Sequence, residues 1–122
     1  MNEAVVVVDE NREVIISNIE ASKIFGYENK KEIEGIHAAK IISTTNIIET
    51  FQKDISNQEK GKGQTYKIDD PELKGFRKDK TEFYIDARVI FIENPSDPNK
   101  YLIAININDL TEEKRLKKIQ ED

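Results

Sequence analysis

The sequence predicts an α+β domain built on an antiparallel sheet, and three observations predict it. Residues Thr81–Ile92 alternate, with Phe83, Ile85, Ala87, Val89 and Phe91 on one face and Glu82, Tyr84, Asp86 and Arg88 on the other. That is the period of a half-buried strand. Tyr101–Asn108 repeats the pattern with Tyr101, Ile103, Ile105 and Ile107. The helical patterns are gathered between an N-terminal strand pair and these C-terminal strands, which excludes a doubly wound parallel sheet. An antiparallel pair with one apolar face needs a cover, and the rest of the chain reads as that cover plus the remaining strands.

Ala4–Val8 holds one alanine and four valines, so it reads as a buried central strand. Asp9–Arg12 is a tight turn in which Asn11 is the residue expected at positive φ. Glu13–Ser17 is the return strand. Asn18 is a natural N-cap for a helix reaching about Phe25, with Ala21, Ile24 and Phe25 as its apolar face and Gly26 as its stop. Glu28–Glu34 reads as a further helical turn closed by Gly35. A longer helix starts at Ser43 or Thr44 and ends near Asn57, with Ile47, Ile48, Phe51 and Ile55 on one stripe. Gln58–Gly63 is a polar loop. Gln64–Ile68 and Leu73–Lys78 are strand segments separated by Asp69-Asp70-Pro71, and Asp79-Lys80 turns the chain into Thr81. Glu93–Lys100 carries two prolines with Asn, Ser and Asp, and reads as a loop.

At 122 residues the chain forms one domain able to bury roughly two thirds of its unfolded surface. The net charge of −5 argues against a nucleic-acid partner, whose phosphates need a positive surface. No apolar run approaches the ~20 residues of a membrane span, and no basic n-region of a signal peptide opens the chain. The sequence contains no cysteine. This removes thiolate metal sites and cysteine nucleophiles, and it fits a reducing, cytoplasmic compartment.

Five stretches, in order, carry a family resemblance. They are Val8-Asp9; Asn18-Ile19-Glu20-Ala21 through Ile24-Phe25-Gly26-Tyr27; Glu32-Ile33-Glu34-Gly35; Arg77-Lys78-Asp79; and Asn108-Asp109-Leu110-Thr111-Glu112-Glu113-Lys114. Together, over about Glu3 to Leu116, the chain resembles a PAS domain, a sensory and interaction module of signalling proteins. The resemblance implies a five-stranded antiparallel sheet in the order 2-1-5-4-3 with short helices over one face. It also implies a sensor domain over 1–111 and the start of a signalling helix over 112–122. The chain departs from the family at Asn11 and Lys80, where glycine is usual; Lys80 at positive φ would carry strain.

Under this resemblance, a ligand pocket between helices and sheet would be lined by Phe25, Ile33, Ile36, Ile42, Ile48, Phe51, Ile85, Val89, Ile103 and Ile105. Ile41 and Ile47 lie in the same set, and Tyr27, Tyr84 and Tyr101 could supply polar tips. The same apolar residues would serve equally as a filled core. Asp109 and Thr111 are the expected signal relay into the exit helix, whose charges follow its dipole: Glu112 and Glu113 first, then Lys114, Arg115, Lys117 and Lys118.

A cysteinyl flavin adduct and a covalent coumaroyl chromophore need the cysteine that the chain lacks. Haem is not expected, because the one histidine, His37, precedes the long helix. The cofactor is otherwise unknown, and no metal is expected. Asp69, Asp70 and Glu72 read as a solvated turn. Gly61-Lys62-Gly63 lacks the spacing of a phosphate loop. No catalytic set is present, so an enzyme is not expected. The expected function is a sensory module binding a small apolar molecule or partner and signalling to an effector such as a histidine kinase in a two-component system. The alternative is a ligand-free dimerisation module using the sheet's outer face at Tyr84, Ile90, Ile92, Leu102 and Ala104. A homodimer and an effector domain are the expected partners, with no membrane insertion.

Overall fold

A computed structural model describes residues 3–43 and 65–121. The expected helix from Thr44 to Asn57 and the loop before Gln64, with the candidates Ile47, Ile48 and Phe51, lie outside the described residues.

The chain opens with strands β1 (Ala4–Val8) and β2 (Val14–Ser17), then helices α1 (Ile19–Ile24) and α2 (Lys30–Ile33) and a 3-10 turn at Ala38–Lys40. Strands β3 (Thr65–Lys67), β4 (Lys74–Phe76), β5 (Glu82–Asn94) and β6 (Asp97–Asp109) follow, and helix α3 (Thr111–Glu121) leaves the sheet. The fold is α+β, and every strand pairing is antiparallel. The sheet runs β2-β1-β6-β5-β3, with β4 also on β5.

Among the described residues six strands stand where the family resemblance implied five, because the third place is shared by β3 and β4. Pro71 has no amide to give a ladder. Asp70 folds the chain locally instead: its carboxylate accepts the Glu72 amide at 2.9 Å and its carbonyl the Leu73 amide at 3.2 Å. One strand is thereby broken into two pieces, facing Arg88–Ile90 and Glu82–Tyr84 of β5.

The expected loop Glu93–Lys100 is shorter than its composition implied. The β5–β6 ladder runs from Ile85↔Asp109 to Glu93↔Tyr101 and closes at Asn94↔Asp97. Pro98, Asn99 and Lys100 fall in the register shift between the last two pairs, and Pro95 sits in the turn. Both prolines thus stand outside the paired positions, as the missing amide requires.

The first turn also differs. Arg12, not Asn11, takes positive φ, at 63°. Asp9 explains the shift: its Oδ1 accepts the amides of Asn11 at 2.9 Å and Glu13 at 3.0 Å, and its carbonyl accepts the Arg12 amide. The reversal is thereby displaced to Arg12. Lys80 does take positive φ, at 73°, and Gly26 and Gly35 close α1 and α2 in the same region.

The core lies between the sheet's inner face and the short helices. Val6, Val8, Val14, Ala21, Phe25, Ile33, Ala38, Leu73, Val89, Phe91 and Ile105 are all fully buried. α1 is capped by Asn18, whose Oδ1 accepts the Ala21 amide at 2.9 Å and the Val5 amide at 3.0 Å. One side chain therefore starts the helix and anchors β1. No described helix is long and apolar enough to cross a membrane.

Candidate functional site

The inner face is built by alternation. β5 and β6 pair so that Val89 lies opposite Ile105 and Phe91 opposite Ile103, and the even-numbered residues face outward. α1 turns Phe25 down onto this face, where its ring meets that of Phe83 at 5.7 Å and a tilt of 60°. α2 contributes Ile33. Ile42 bridges to Gly75 of β4. Phe25, Ile33, Ile42, Ile85, Val89, Ile103 and Ile105 thus converge on one buried cluster, with Ile36 partly buried against it. Ile41 joins them. Ile48 and Phe51 lie outside the described residues.

Gly75 is demanded by this packing. A Cβ there would stand 2.6 Å from Cζ of Phe83 and 2.8 Å from its Cε1, closer than carbon atoms approach. Tyr66 closes the other end, edge-on to Phe91 at 6.1 Å. Tyr27 and Tyr101 are partly buried against the cluster. Tyr84 faces outward on β5 instead.

The exit from the sheet is held by several contacts. Asp109 ends β6, and its Oδ1 accepts the Thr111 amide at 2.9 Å and the Thr111 hydroxyl at 2.5 Å. The Leu110 amide donates to the Tyr84 carbonyl at 2.9 Å, tying the joint to β5. Nζ of Lys114 stands 4.7 Å over the Tyr84 ring. Asp109 and Thr111, named from the sequence, are therefore in direct contact at the start of α3.

One residue of the joint escaped sequence reasoning. The Arg77 guanidinium stands 4.0 Å over the Phe83 ring while its Nη2 lies 3.6 Å from Oδ2 of Asp109. Arg77 and Asp109 are distant in sequence, and no periodicity connects them. The one available signal was the basic pair Arg77-Lys78 ending a strand. Phe25, Phe83, Arg77, Asp109 and Thr111 form an unbroken series of contacts from the core to the exit helix.

The remaining candidates have local roles. His37 is exposed, and its Nδ1 accepts the Ala39 amide at 3.0 Å, capping the 3-10 turn. Asp79 is held below the usual carboxylate range, first by the Thr81 hydroxyl and then by the Thr81 amide. Lys78 and Glu32 meet at 2.7 Å; that hydrogen bond lowers the Glu32 carboxyl and raises the Lys78 ammonium. Among the described residues, no three His, Asp or Glu side chains converge as a metal cage.

The antiparallel sheet with short helices over one face and a helix leaving its central strand pair is the architecture of a sensory domain class. Residues 2–112 match the family described as PAS domain, and the chain belongs to that family. Three solved relatives are distant in sequence. A PAS domain from a two-component sensor histidine kinase is 11% identical, with 88% of this chain and 84% of that one covered and a TM-score of 0.58. The PAS domain of nitrogen regulation protein NR(II) from Vibrio parahaemolyticus is 13% identical over 88% of each chain, with a TM-score of 0.60. The PAS domain of a protein from Colwellia psychrerythraea is 21% identical, covering 90% of this chain and 87% of that one, with a TM-score of 0.61. At these identities the likeness is one of fold. No curated protein matches the chain. PAS domains are sensory modules rather than catalysts.

Proposed function

We propose that this PAS domain is a signalling sensor in which an occupant of the inner face biases the setting of α3. Phe25, Ile33, Ile36, Ile42, Ile85, Val89, Ile103 and Ile105 line the site for a small apolar molecule. The observation that carries the proposal is the series of contacts from Phe25 through Phe83 and Arg77 to Asp109. A change in the tilt of Phe25 on Phe83 alters the surface on which the Arg77 guanidinium rests. Arg77 in turn meets the carboxylate that holds Thr111. The ligand must favour one of two packings to signal at all. In this reading residues 1–111 sense, and 112–122 begin the helix that reaches the effector. The histidine-kinase origin of one fold relative supports an effector of that class.

The test is output regulation in the full-length protein carrying Asp109→Ala. Regulation is expected to be lost while the domain stays folded; an unaltered response would overturn the relay. Denaturing mass spectrometry of protein as purified is expected to release a small molecule.

A second reading has its own observation. Ile16, Val7, Ala104 and Ile90 are register neighbours across the outer face, and Leu102 pairs with Ile92 beside them. Ile16 is 56% and Ile92 41% exposed. A second copy of the chain would cover this strip, making the domain a dimerisation module whether or not it holds a ligand.

A further inference from the structure

A concavity lies apart from the inner-face cluster. It is a groove of about 520 Å³ lined by Tyr27 after α1, by the 3-10 turn, and by the segment joining β4 to β5. Of its seven described lining residues, four are cations (Lys40, Arg77, Lys78 and Lys80) and none is a carboxylate. This concentration stands on a chain of net charge −5. Tyr27 and Phe76 supply apolar wall between the cations.

The walls are set by backbone hydrogen bonds, not by loose side chains. The Lys78 amide donates to the Phe25 carbonyl at 2.8 Å, the Phe76 amide to Ile41 at 2.9 Å, and the Lys80 amide to Arg77 at 2.8 Å. The groove is therefore preformed, which removes part of the ordering cost of binding. Two of its cations are already engaged: Lys78 with Glu32 at 2.7 Å and Arg77 with Asp109 at 3.6 Å. The carboxylate nearest in sequence, Asp79, turns Oδ1 back to the Thr81 amide and hydroxyl. Lys40 and Lys80 have no ion-pair partner among the described residues. Lys80 is also held at φ 73°, which glycine adopts freely and lysine only with strain. A strained backbone thus carries, at the groove, an ammonium with no ion-pair partner among the described residues.

We propose that this groove binds a small organic anion with an apolar body. The body lies against Tyr27 and Phe76, and the carboxylate, sulfonate or phosphate is held by Lys40 and Lys80. The volume falls within the range of small-molecule sites. The apolar wall favours an organic anion over a bare inorganic one, and the overall negative charge disfavours a polyanion such as nucleic acid.

The probe is anilinonaphthalene sulfonate, titrated into the isotopically labelled chain and followed by amide NMR. Phenylnaphthylamine serves as a similar aromatic body without the charge. Shifts are expected at Gly26, Lys40, Lys78 and Lys80, with the neutral compound binding more weakly by about tenfold or more. Lys40→Gln and Lys80→Gly are each expected to weaken sulfonate binding about twofold to fivefold, the effect of losing one exposed charge contact. Lys80→Gly should do so while melting higher than the parent, which separates a lost contact from a damaged fold. Shifts clustered at Val89 and Ile105, equal binding of the neutral compound, or parental affinity in both variants would each overturn the proposal.

Discussion

Lys80 and Gly75 show how much one residue's backbone decides here. Lys80 occupies the left-handed region at φ 73° with an exposed side chain, so its strain is not offset by packing. Lys80→Gly is therefore expected to stabilise the domain by about 0.5–1 kcal/mol in a urea melt. No gain would mean that the turn relaxes without cost. Gly75 is the opposite case. Its Cβ position is filled by the Phe83 ring and approaches Cγ2 of Ile85 at 3.2 Å. Gly75→Ala forces the ring off its contact with Phe25 and is expected to destabilise by roughly 1–3 kcal/mol. Asp79 adds a pH dependence. Its folded carboxyl is depressed by Thr81, so the stability it contributes is present above the unfolded value and lost as pH falls through the folded one. Asp79→Asn is expected to be less stable than the parent near neutral pH, with the gap closing below about pH 4. A gap unchanged down to about pH 2 would show that charge is irrelevant to the turn.

Caps separate two elements that look alike in sequence. Asn18 and Asn29 each precede a short helix, and each side chain accepts an amide three residues on. Asn18 does more: it also accepts the Val5 amide at 3.0 Å and donates to the Glu3 carbonyl at 2.7 Å. Asn18→Ala therefore loses a cap and leaves a strand amide without its partner, about 2–3 kcal/mol in a denaturant melt. Asn29→Ala loses a cap alone, about 0.5–1 kcal/mol. Equal costs would deny Asn18 its second role. The Asn18 cap, the glycine stops and the alternating faces of β5 and β6 were legible in the sequence because each is written within a few neighbouring residues. The burial of Ile85, Val89, Ile103 and Ile105 was legible for the same reason. What was not legible depended on contests between nearby groups. Asp9 moved the turn from Asn11 to Arg12, whereas the break at Asp69-Asp70-Pro71 between β3 and β4 could be read from the residues themselves. Local pattern could not reveal Arg77 beside Asp109, a contact made only when the sheet brings the end of β6 close to the segment after β4.

At the scale of the molecule the two sheet faces are covered unequally. The inner face is closed by helices, whereas the outer face keeps an apolar strip running from Ile16 across Val7, Ala104 and Ile90, with Leu102 and Ile92 beside it. Not every residue assigned to this surface is free. Ala104 is only 8% exposed, because a methyl group between Val7 and Ile90 is overshadowed by its larger neighbours. Ile16 and Ile92 stand clear and carry most of the accessible apolar area. Below the strip, the row of Asn106 and Arg88 is polar, so an apolar strip meets a polar border as at an interface. A second copy offers the same strip, and an isologous pairing would cover both. The parent chain is therefore expected to show concentration-dependent mass in sedimentation. Ile92→Lys is expected to raise the dissociation constant about tenfold or more by placing an ammonium in the contact. Because Ile92 is 41% exposed in the single chain, the melt of the variant should move by no more than about 0.5 kcal/mol. A parent that stays monomeric at millimolar concentration, or a variant that associates as the parent does, would remove the outer face from any account of assembly. The inner-face relay to Asp109 would then have to act within one chain.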